Sequence, residues 1–339
     1  MWLTLFIEPI RGVDVPELSS SFRPAWWLPG AHLPTIWGKK FRKQRQAHER
    51  LERWATPDGD HVSLARAGSV TPERPHLLVL HGLEGTTKSN YAQGLMEQGR
   101  AKGWSADLLL FRSCDGEVNA ARRMYHSGET TDLDFVVRTL IRQHPTIDLR
   151  LVGVSLGGNV LLKWLGEQGN ATPPQVTRAA AVSAPFDLAA GSRHLECFMG
   201  QLYVNHFMAS LKAKTLAKRP KYEDLCDWEK LAEARTFWEF DDHVTGPVHG
   251  FADAWDYYTQ SSSLQKLAGI RRPTLLLNAK DDPFLPPSVL EIVRNIVHNN
   301  EFLASEFTAR GGHVGWIEGT LWSPRYFMEE RVVQWLSGE

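Results

Sequence analysis

The chain has 339 residues, of which 42% are hydrophobic and 23% are charged, a balance that argues against a disordered or membrane-spanning protein and allows one large buried core. The formal net charge of −1 provides no overall field that would attract nucleic acid. The chain has three cysteines, Cys114, Cys197 and Cys226. They are far apart and form no C-x-x-C pair, which argues against a disulfide framework or a zinc knuckle. We therefore expect a cytoplasmic globular protein.

The first 48 residues differ in composition from the rest. Residues 1–7 are apolar but lack a basic stretch, so a signal peptide is not expected. Tryptophan and proline are frequent over residues 1–48, which predicts an irregular segment packed on the core. The basic cluster at 39–45 (KKFRKQR) favours a solvated face, and a weak contact with an acidic membrane surface is the alternative.

From residue 49 to 339, short apolar runs alternate with helical patterns. The predicted strands cover residues 52–55, 61–65, 77–80, 108–111, 149–154, 179–183, 274–278 and 302–307. The predicted helices cover residues 89–102 with Ser89 as the N-cap, 131–143, a segment starting near 160, and 326–336. Continuous apolar strands that alternate with helices are typical of a mostly parallel sheet covered by helices on both faces. The pattern therefore predicts an α/β domain over 49–339.

One interval interrupts this alternation. Residues 184–273 separate two predicted strands by far more than a crossover connection needs, and they carry helical patterns rich in aromatic residues. We interpret residues 186–265 as a helical cap over the edge of the sheet. Its side chains would pack on the core and supply the apolar walls of an acyl pocket.

The segment Gly153-Val-Ser-Leu-Gly157 stands between the predicted strand 149–154 and the helix that follows. In this position G-x-S-x-G is typical of a nucleophile elbow, a strained turn that exposes the serine hydroxyl at the sheet edge. Side chains on either side of so tight a turn would clash, which Gly153 and Gly157 avoid. The helix N-terminus also favours negative charge nearby. We predict Ser155 as a nucleophile.

A serine nucleophile needs a base, and the base needs an acid that holds its tautomer. In a hydrolase of this type the chain order is serine, acid, histidine. Asp281 and Asp282 both follow the predicted strand 274–278. Asp282, directly before Pro283, is preferred, and Asp281 would then be a turn or cap residue. His313 lies in a glycine-rich loop after the last predicted strand, so we predict it as the base.

An oxyanion intermediate needs two backbone N–H groups directed at it. We predict them from Leu156, directly after the serine, and from Leu83, in the loop 81–85 (HGLEG) after the strand 77–80. His81 is interpreted as a brace of this loop rather than as a catalytic group.

No cofactor or metal is expected. The group Asp241, Asp242, His243 and His249 lacks a ligand spacing such as H-E-x-x-H. The glycines near Lys88 do not form the phosphate loop G-x-x-x-x-G-K-[ST].

Segments spread over nearly the whole chain resemble the AB hydrolase 4 family, the YheT-like members of the α/β-hydrolase superfamily. They are Pro57-Asp-Gly-Asp60, His81-Gly-Leu-Glu-Gly85, Phe111-Arg112, Tyr125-His-Ser-Gly-Glu-Thr130, Gly153-Val-Ser-Leu-Gly-Gly-Asn159, Ala279-Lys-Asp-Asp-Pro-Phe284 and a spaced pattern from Asp241 to Asp282. The resemblance implies an α/β-hydrolase fold and a serine hydrolase or acyltransferase acting on esters, often of short or medium acyl chains. By motif it implies a triad of Ser155, Asp282 and His313.

Two segments depart from the family pattern. The family has His-x-Gln-Thr where this chain reads His32-Leu-Pro-Thr35, and Arg-Gly-Cys-Ser/Gly-Gly where it reads Arg112-Ser-Cys-Asp-Gly116. Neither departure touches the triad, so we expect them to affect substrate preference rather than activity.

The expected function is cleavage of small-molecule carboxylic esters with short to medium acyl chains, through an acyl-enzyme on Ser155. One alternative is an alcohol O-acyltransferase that uses the same acyl-enzyme. A more remote alternative is a non-catalytic binding protein built on the hydrolase fold.

Overall fold

The computed structural model describes residues 17–43 and 46–339. The prediction about a signal peptide at 1–7 and the last two residues of the basic cluster, Gln44 and Arg45, lie outside the described residues. Among the helices of the described ranges, none is long and apolar enough to cross a membrane. The three cysteines all carry free thiols.

Short apolar segments form the centre of the molecule. The strands are β1 Arg50–Ala55, β2 His61–Ala67, β3 His76–Leu80, β4 Ser105–Leu110, β5 Leu149–Val154, β6 Val176–Val182, β7 Thr274–Ala279 and β8 Leu303–Thr308. Within residues 17–43 and 46–339 these eight strands pair into one sheet in the order β1-β2-β4-β3-β5-β6-β7-β8. Strand β2 runs antiparallel to both of its neighbours, and the other pairs are parallel. The predicted mostly parallel sheet is confirmed.

Helices surround the sheet, and a small hairpin follows it. The helices are α1 His32–Lys40, α2 Asn90–Ala101, α3 Thr131–Gln143, α4 Leu156–Gln168, α5 Leu188–His194, α6 Phe198–Ala217, α7 Trp228–Glu233, α8 Phe237–Phe240, α9 Gly246–His249, α10 Ala254–Ser261, α11 Pro287–His298 and α12 Phe327–Ser337. The hairpin consists of β9 Ile317–Thr320 and β10 Ser323–Tyr326. Helices α5 to α10 occupy the interval in which the sequence predicts a cap.

Both faces of the sheet are buried, as strand β3 illustrates. Leu78 and Leu80 pack with α3, α4 and α11 in one hydrophobic cluster. Leu77 and Val79 point the other way and pack with α2 and α12 in a second cluster. Because side chains alternate across a strand, a wholly apolar strand requires cover on both faces, as the sequence predicts.

Some local predictions differ from the structure. Residues 32–40 form α1 rather than an irregular segment, and Pro34 fits in its first turn because N–H groups there have no helical acceptor. Ser89 precedes α2 as predicted, but its hydroxyl makes no cap and instead accepts the Thr86 N–H at 3.0 Å. Helix α11 and the β9–β10 hairpin were not predicted.

Arg112, just after β4, is fully buried and joins three segments. Its guanidinium donates to Asp132 at the start of α3 at 2.7 and 2.8 Å, and to Asp60 in the β1–β2 connection at 2.9 Å. Burial would raise the pKa of Asp60, but hydrogen bonds from the Asn119 side chain and the Ala121 amide outweigh it and help lower the pKa to about 2. The carboxylate of Asp60 is therefore ionised at neutral pH and depends on these partners.

Arg112→Met should lower the free energy of unfolding at neutral pH by about 3–5 kcal/mol, because it leaves buried carboxylates without their counter-charge. Urea unfolding followed by circular dichroism measures this loss. The stability that Asp60 contributes is present above its ordinary pKa and is lost as the pH falls towards its folded pKa of about 2. Because the variant has less stability to lose, its acid unfolding should begin at a higher pH than that of the wild type.

Arg138→Met is the matched control, since Arg138 pairs with Asp134 on the exposed side of α3. That variant should lose less than about 0.5 kcal/mol. Equal losses in the two variants would contradict a structural role for the buried arginine.

Candidate active site

The turn from β5 to α4 holds Ser155 in a left-handed backbone conformation, with φ of +56°. A Cβ on Gly157 would lie 2.5 Å from the His81 carbonyl oxygen and 2.6 Å from that of Leu80, and one on Gly153 would overlap the Gly157 carbonyl. Both positions therefore require glycine, for the steric reason that the sequence suggests. The turn packs directly on the end of β3.

Ser155, His313 and Asp282 form a hydrogen-bonded chain. The Ser155 Oγ lies 2.9 Å from His313 Nε2, and His313 Nδ1 lies 2.9 and 3.1 Å from the two oxygens of Asp282. Asp282 is 3% exposed, so its carboxylate faces the imidazole rather than water. Ser155, Asp282 and His313 come after the strands β5, β7 and β8, respectively. The three side chains can meet because the carboxyl ends of parallel strands lie at the same edge of the sheet.

The loop around His313 is held by residues that sequence reasoning did not select. The Thr35 hydroxyl of α1 accepts the His313 N–H at 2.9 Å, and the Ser183 hydroxyl accepts the Val314 N–H at 3.2 Å. The Phe284 ring stacks on the His313 imidazole, with centroids 4.1 Å apart. Thr35 and Phe284 belong to the segments 32–35 and 279–284 that the family comparison singled out.

The two neighbouring aspartates have separate contacts. Asp282 accepts the Phe284 N–H at 2.8 Å in addition to facing the histidine. Asp281 accepts the Gly312 N–H at 2.9 Å, and in the described part of the chain it forms no hydrogen bond with His313. Burial, together with the charge of Asp282, raises the pKa of Asp281. The carboxylate of Asp281 therefore supports the histidine loop by accepting a hydrogen bond from the backbone of that loop.

The amides of Leu83 and Leu156, which the sequence predicts as oxyanion donors, are not used within the described part of the fold. Tyrosine hydroxyls fix the amides on either side of Leu83, since Tyr91 accepts the Gly82 N–H at 2.8 Å and Tyr125 accepts the Glu84 N–H at 2.9 Å. Within residues 17–43 and 46–339, neither the Leu83 N–H nor the Leu156 N–H donates to a protein acceptor. Both donors are therefore available to a ligand.

His81 braces the loop that carries Leu83. Its Nδ1 donates to the Gly82 carbonyl at 2.7 Å, and its Nε2 accepts the Phe111 N–H at 3.1 Å. Burial lowers the pKa of His81 to about 4, so the ring is neutral and both nitrogens are occupied. Gly85 lies so close to this ring that a Cβ there would be 2.6 Å away. The structure supports the bracing role.

Ser155 and His313 stand where two cavities meet, and Leu83, Phe207 and Phe284 also border both. The first cavity, of about 150 Å³, lies under α5 to α10 and has mostly apolar walls, among them Leu188, Leu195, Phe240, Val244 and Val248. The second, of about 640 Å³, opens beside α1 and the loop 82–90. The two cavities differ in charge, because lysine and arginine side chains line only the second of them.

The residues considered as metal ligands do not gather around a common point. Asp241 accepts the Tyr258 hydroxyl at 2.7 Å inside the first cavity, where burial raises its pKa to about 7. His249 packs on His126, with ring centroids 4.5 Å apart. In the described part of the chain, no group of three or more histidine, cysteine or carboxylate side chains is arranged to hold a metal ion.

Comparisons with known proteins identify the fold and the family. A family profile described as the alpha/beta hydrolase fold matches residues 75–320. YheT of Escherichia coli K12, described as a candidate esterase, is 39% identical over 334 residues, which are 97% of each chain. The phospholipase ABHD3 of Mus musculus is 28% identical over 325 residues, which are 94% of this chain and 78% of that relative.

A solved structure shows the same fold. An esterase of Pyrococcus furiosus, Pf2001, aligns over 86% of this chain and 90% of its own with a TM-score of 0.55, at 15% sequence identity. Fold and sequence together define an α/β hydrolase of the esterase and lipase type. Within that superfamily the chain belongs to the AB hydrolase 4 family that its motifs resemble.

Replacement of the two aspartates should separate their roles. Asp282→Asn should slow covalent labelling of the protein by a fluorophosphonate by about 10³–10⁴-fold, because an amide would favour the wrong tautomer of His313. Asp281→Asn should slow it less than about tenfold, since an amide oxygen still accepts the Gly312 N–H. Labelling rates on both variants, with thermal melting as a check of folding, measure the difference. A larger effect at Asp281 would contradict this assignment.

Proposed function

We propose that this protein hydrolyses carboxylic esters with short to medium acyl chains, with Ser155 as nucleophile, His313 as general base and acid, and Asp282 as the residue that orients the imidazole. The observation that carries the proposal is the continuous chain of short contacts from Asp282 through His313 to the Ser155 hydroxyl. Motif order, the left-handed turn at Ser155 and the family membership support it.

Acylation begins at the serine hydroxyl. Ser155 Oγ bonds to the ester carbonyl carbon as its proton passes to His313 Nε2, and the carbonyl oxygen becomes an oxyanion. The ionised carboxylate of Asp282 stabilises the imidazolium that forms. When the carbonyl re-forms, the bond to the alcohol oxygen breaks, and that oxygen takes the proton from His313. The products are the free alcohol and an acyl group on Ser155.

The oxyanion would be stabilised by the amides of Leu83 and Leu156. Donors that are fixed before the reaction stabilise developing charge without reorganisation, and each is worth about 3–4 kcal/mol of barrier in other enzymes. The hydroxyls of Tyr91 and Tyr125 hold the backbone on both sides of Leu83. The N-terminus of α4 adds a favourable dipole at Leu156.

Water completes the cycle. Its oxygen bonds to the acyl carbon while His313 takes a proton, and the bond from that carbon to Ser155 Oγ then breaks. Ser155 regains its proton from His313, and the carboxylic acid leaves. If an alcohol took the place of water, the same steps would give a new ester.

The two cavities suit the two parts of an ester. The acyl chain would occupy the first cavity, because its walls are largely apolar and its volume is about 150 Å³. The alcohol part would then lie in the second cavity, on the other side of Ser155. The small size of the first cavity is the observation that favours short and medium acyl chains over long ones.

A series of p-nitrophenyl esters from acetate to palmitate tests this function. The wild-type kcat/KM should be highest for short to medium chains and fall towards palmitate. Ser155→Ala should lower turnover of the preferred ester by about 10⁴-fold or more, because the nucleophile is removed.

Ser337→Ala is the matched control, since Ser337 lies at the far end of α12 and bonds only to the Val333 carbonyl among the contacts of the described residues. It should keep wild-type turnover. Unchanged turnover in Ser155→Ala would refute the proposal. Product analysis with added ethanol distinguishes free acid, which supports hydrolysis, from ethyl ester, which supports acyl transfer.

A further inference from the structure

Several basic side chains line the second cavity. Lys39, Lys40 and Arg42 reach it from the end of α1, Lys88 from the loop after β3, and His206 from α6. These residues come from three separate parts of the chain. Cations at the end of a helix are common because they complement its dipole, but that explanation does not cover Lys88 or His206.

Two basic groups face each other there. The Lys39 Nζ lies 2.6 Å from His206 Nε2, although both are groups that take up protons. Loss of solvation, together with the charge of Lys40, lowers the pKa of Lys39, and loss of solvation with the charges of Lys39 and Lys40 lowers that of His206. Such a pair repels a second proton unless an anion compensates.

The carboxylates that line this cavity are already paired. Glu84 binds Lys214 of α6 at 2.8 Å, and Glu329 forms an ion pair with Arg42. Within residues 17–43 and 46–339, no carboxylate forms an ion pair with Lys39, Lys40 or Lys88. Among the described residues, the positive charge of these lysines in the cavity lining is therefore uncompensated.

Lys39 lies near residues that border the reacting serine. Lys39 follows Thr35 by one helical turn on the same side of α1, roughly 6 Å along the axis, and Thr35 binds the His313 backbone. The Lys39 Nζ also lies 5.4 Å from the centre of the Phe207 ring, which borders both cavities. A group on the alcohol side of an ester bound at Ser155 would therefore come within reach of Lys39.

We propose that the second cavity binds alcohol moieties that carry an anionic group, a carboxylate or a phosphate, and that Lys39, Lys88 and His206 recognise this group. The inference rests on the proposed ester hydrolysis and names the substrate class on its leaving-group side. The basic residues line a cavity that also includes Ser155, rather than a flat surface, which favours a substrate group over adsorption to an acidic membrane. The anion could belong to a soluble ester or to a lipid headgroup.

A matched pair of chromogenic esters tests the proposal. One is the butyrate of a nitrophenol that bears a carboxylate, and the other is the same ester with a carboxamide in its place. The ratio of kcat/KM for the anionic ester to that for the neutral ester is the readout. The wild-type ratio should exceed unity, and Lys39→Gln and Lys88→Gln should each lower it about tenfold, the effect of losing one charge-assisted contact.

Lys43→Gln is the control for net charge, because Lys43 is exposed on the same segment but does not line the cavity. It should leave the ratio within about twofold of wild type, the level of a weak surface charge effect. A wild-type ratio at or below unity, or an equal loss in Lys43→Gln, would overturn the proposal. Failure to hydrolyse either ester would instead count against the proposed function.

A second measurement identifies the source of the anion. Competitive inhibition by glycerol phosphate, weakened in Lys39→Gln, would support a soluble phosphate ester. Inhibition only by vesicles of phosphatidylglycerol, together with a lower ester ratio in Lys39→Gln, would support a lipid headgroup. If Lys39→Gln weakens vesicle binding but leaves the ester ratio unchanged, the cluster serves membrane adsorption and the proposal is wrong.

Discussion

The left-handed turn at Ser155 is the constraint on which the site depends. The turn is possible because Gly157 has no side chain and lies against the carbonyls of Leu80 and His81. The β5–α4 turn therefore packs closely against the end of β3. The same contact fixes the loop that begins at His81 and carries the Leu83 amide. The Ser155 hydroxyl and the Leu83 amide are thus carried by two segments that pack directly against each other.

Elements outside the sheet complete this arrangement. Helix α1 provides Thr35, which holds the histidine loop, and α6 provides Lys214, which pairs with Glu84 beside Leu83. The helices α5 to α10 border an apolar cavity on one side of the serine, while α1 contributes lysines to the second cavity on the other. The chemistry is therefore carried by the sheet edge, and the choice of substrate depends on the helices around it.

The sequence was sufficient to predict those features that depend on residues close together in the chain or on strand direction. The apolar strands, the glycines around Ser155 and the order of serine, aspartate and histidine each depend on neighbouring residues or on strand direction. The preference for Asp282 over Asp281 rested on the position of Asp282 directly before Pro283, and it agrees with the observed contacts.

Features that arise from distant contacts were not predictable in this way. Thr35 and His313 are 278 residues apart, so nothing in either segment reveals their contact. Helix α1 escaped detection because Pro34 and Gly38 obscure its helical pattern. The basic cluster was interpreted as a solvated face, yet Lys39 and Lys40 line the second cavity because α1 packs beside the histidine loop. Hydrophobic periodicity in the sequence identifies the buried face of a helix or strand, but it does not show which loops come together when these faces pack.

The central claim is that Ser155 carries the acyl group during turnover. Mixing the wild-type protein with p-nitrophenyl butyrate, stopping the reaction with acid before steady state and mapping peptides by mass spectrometry tests it directly. The account predicts a burst of nitrophenolate stoichiometric with the enzyme and a butyryl group on the peptide that contains Ser155. A butyryl group on another residue, or turnover without any acyl-enzyme, would contradict it.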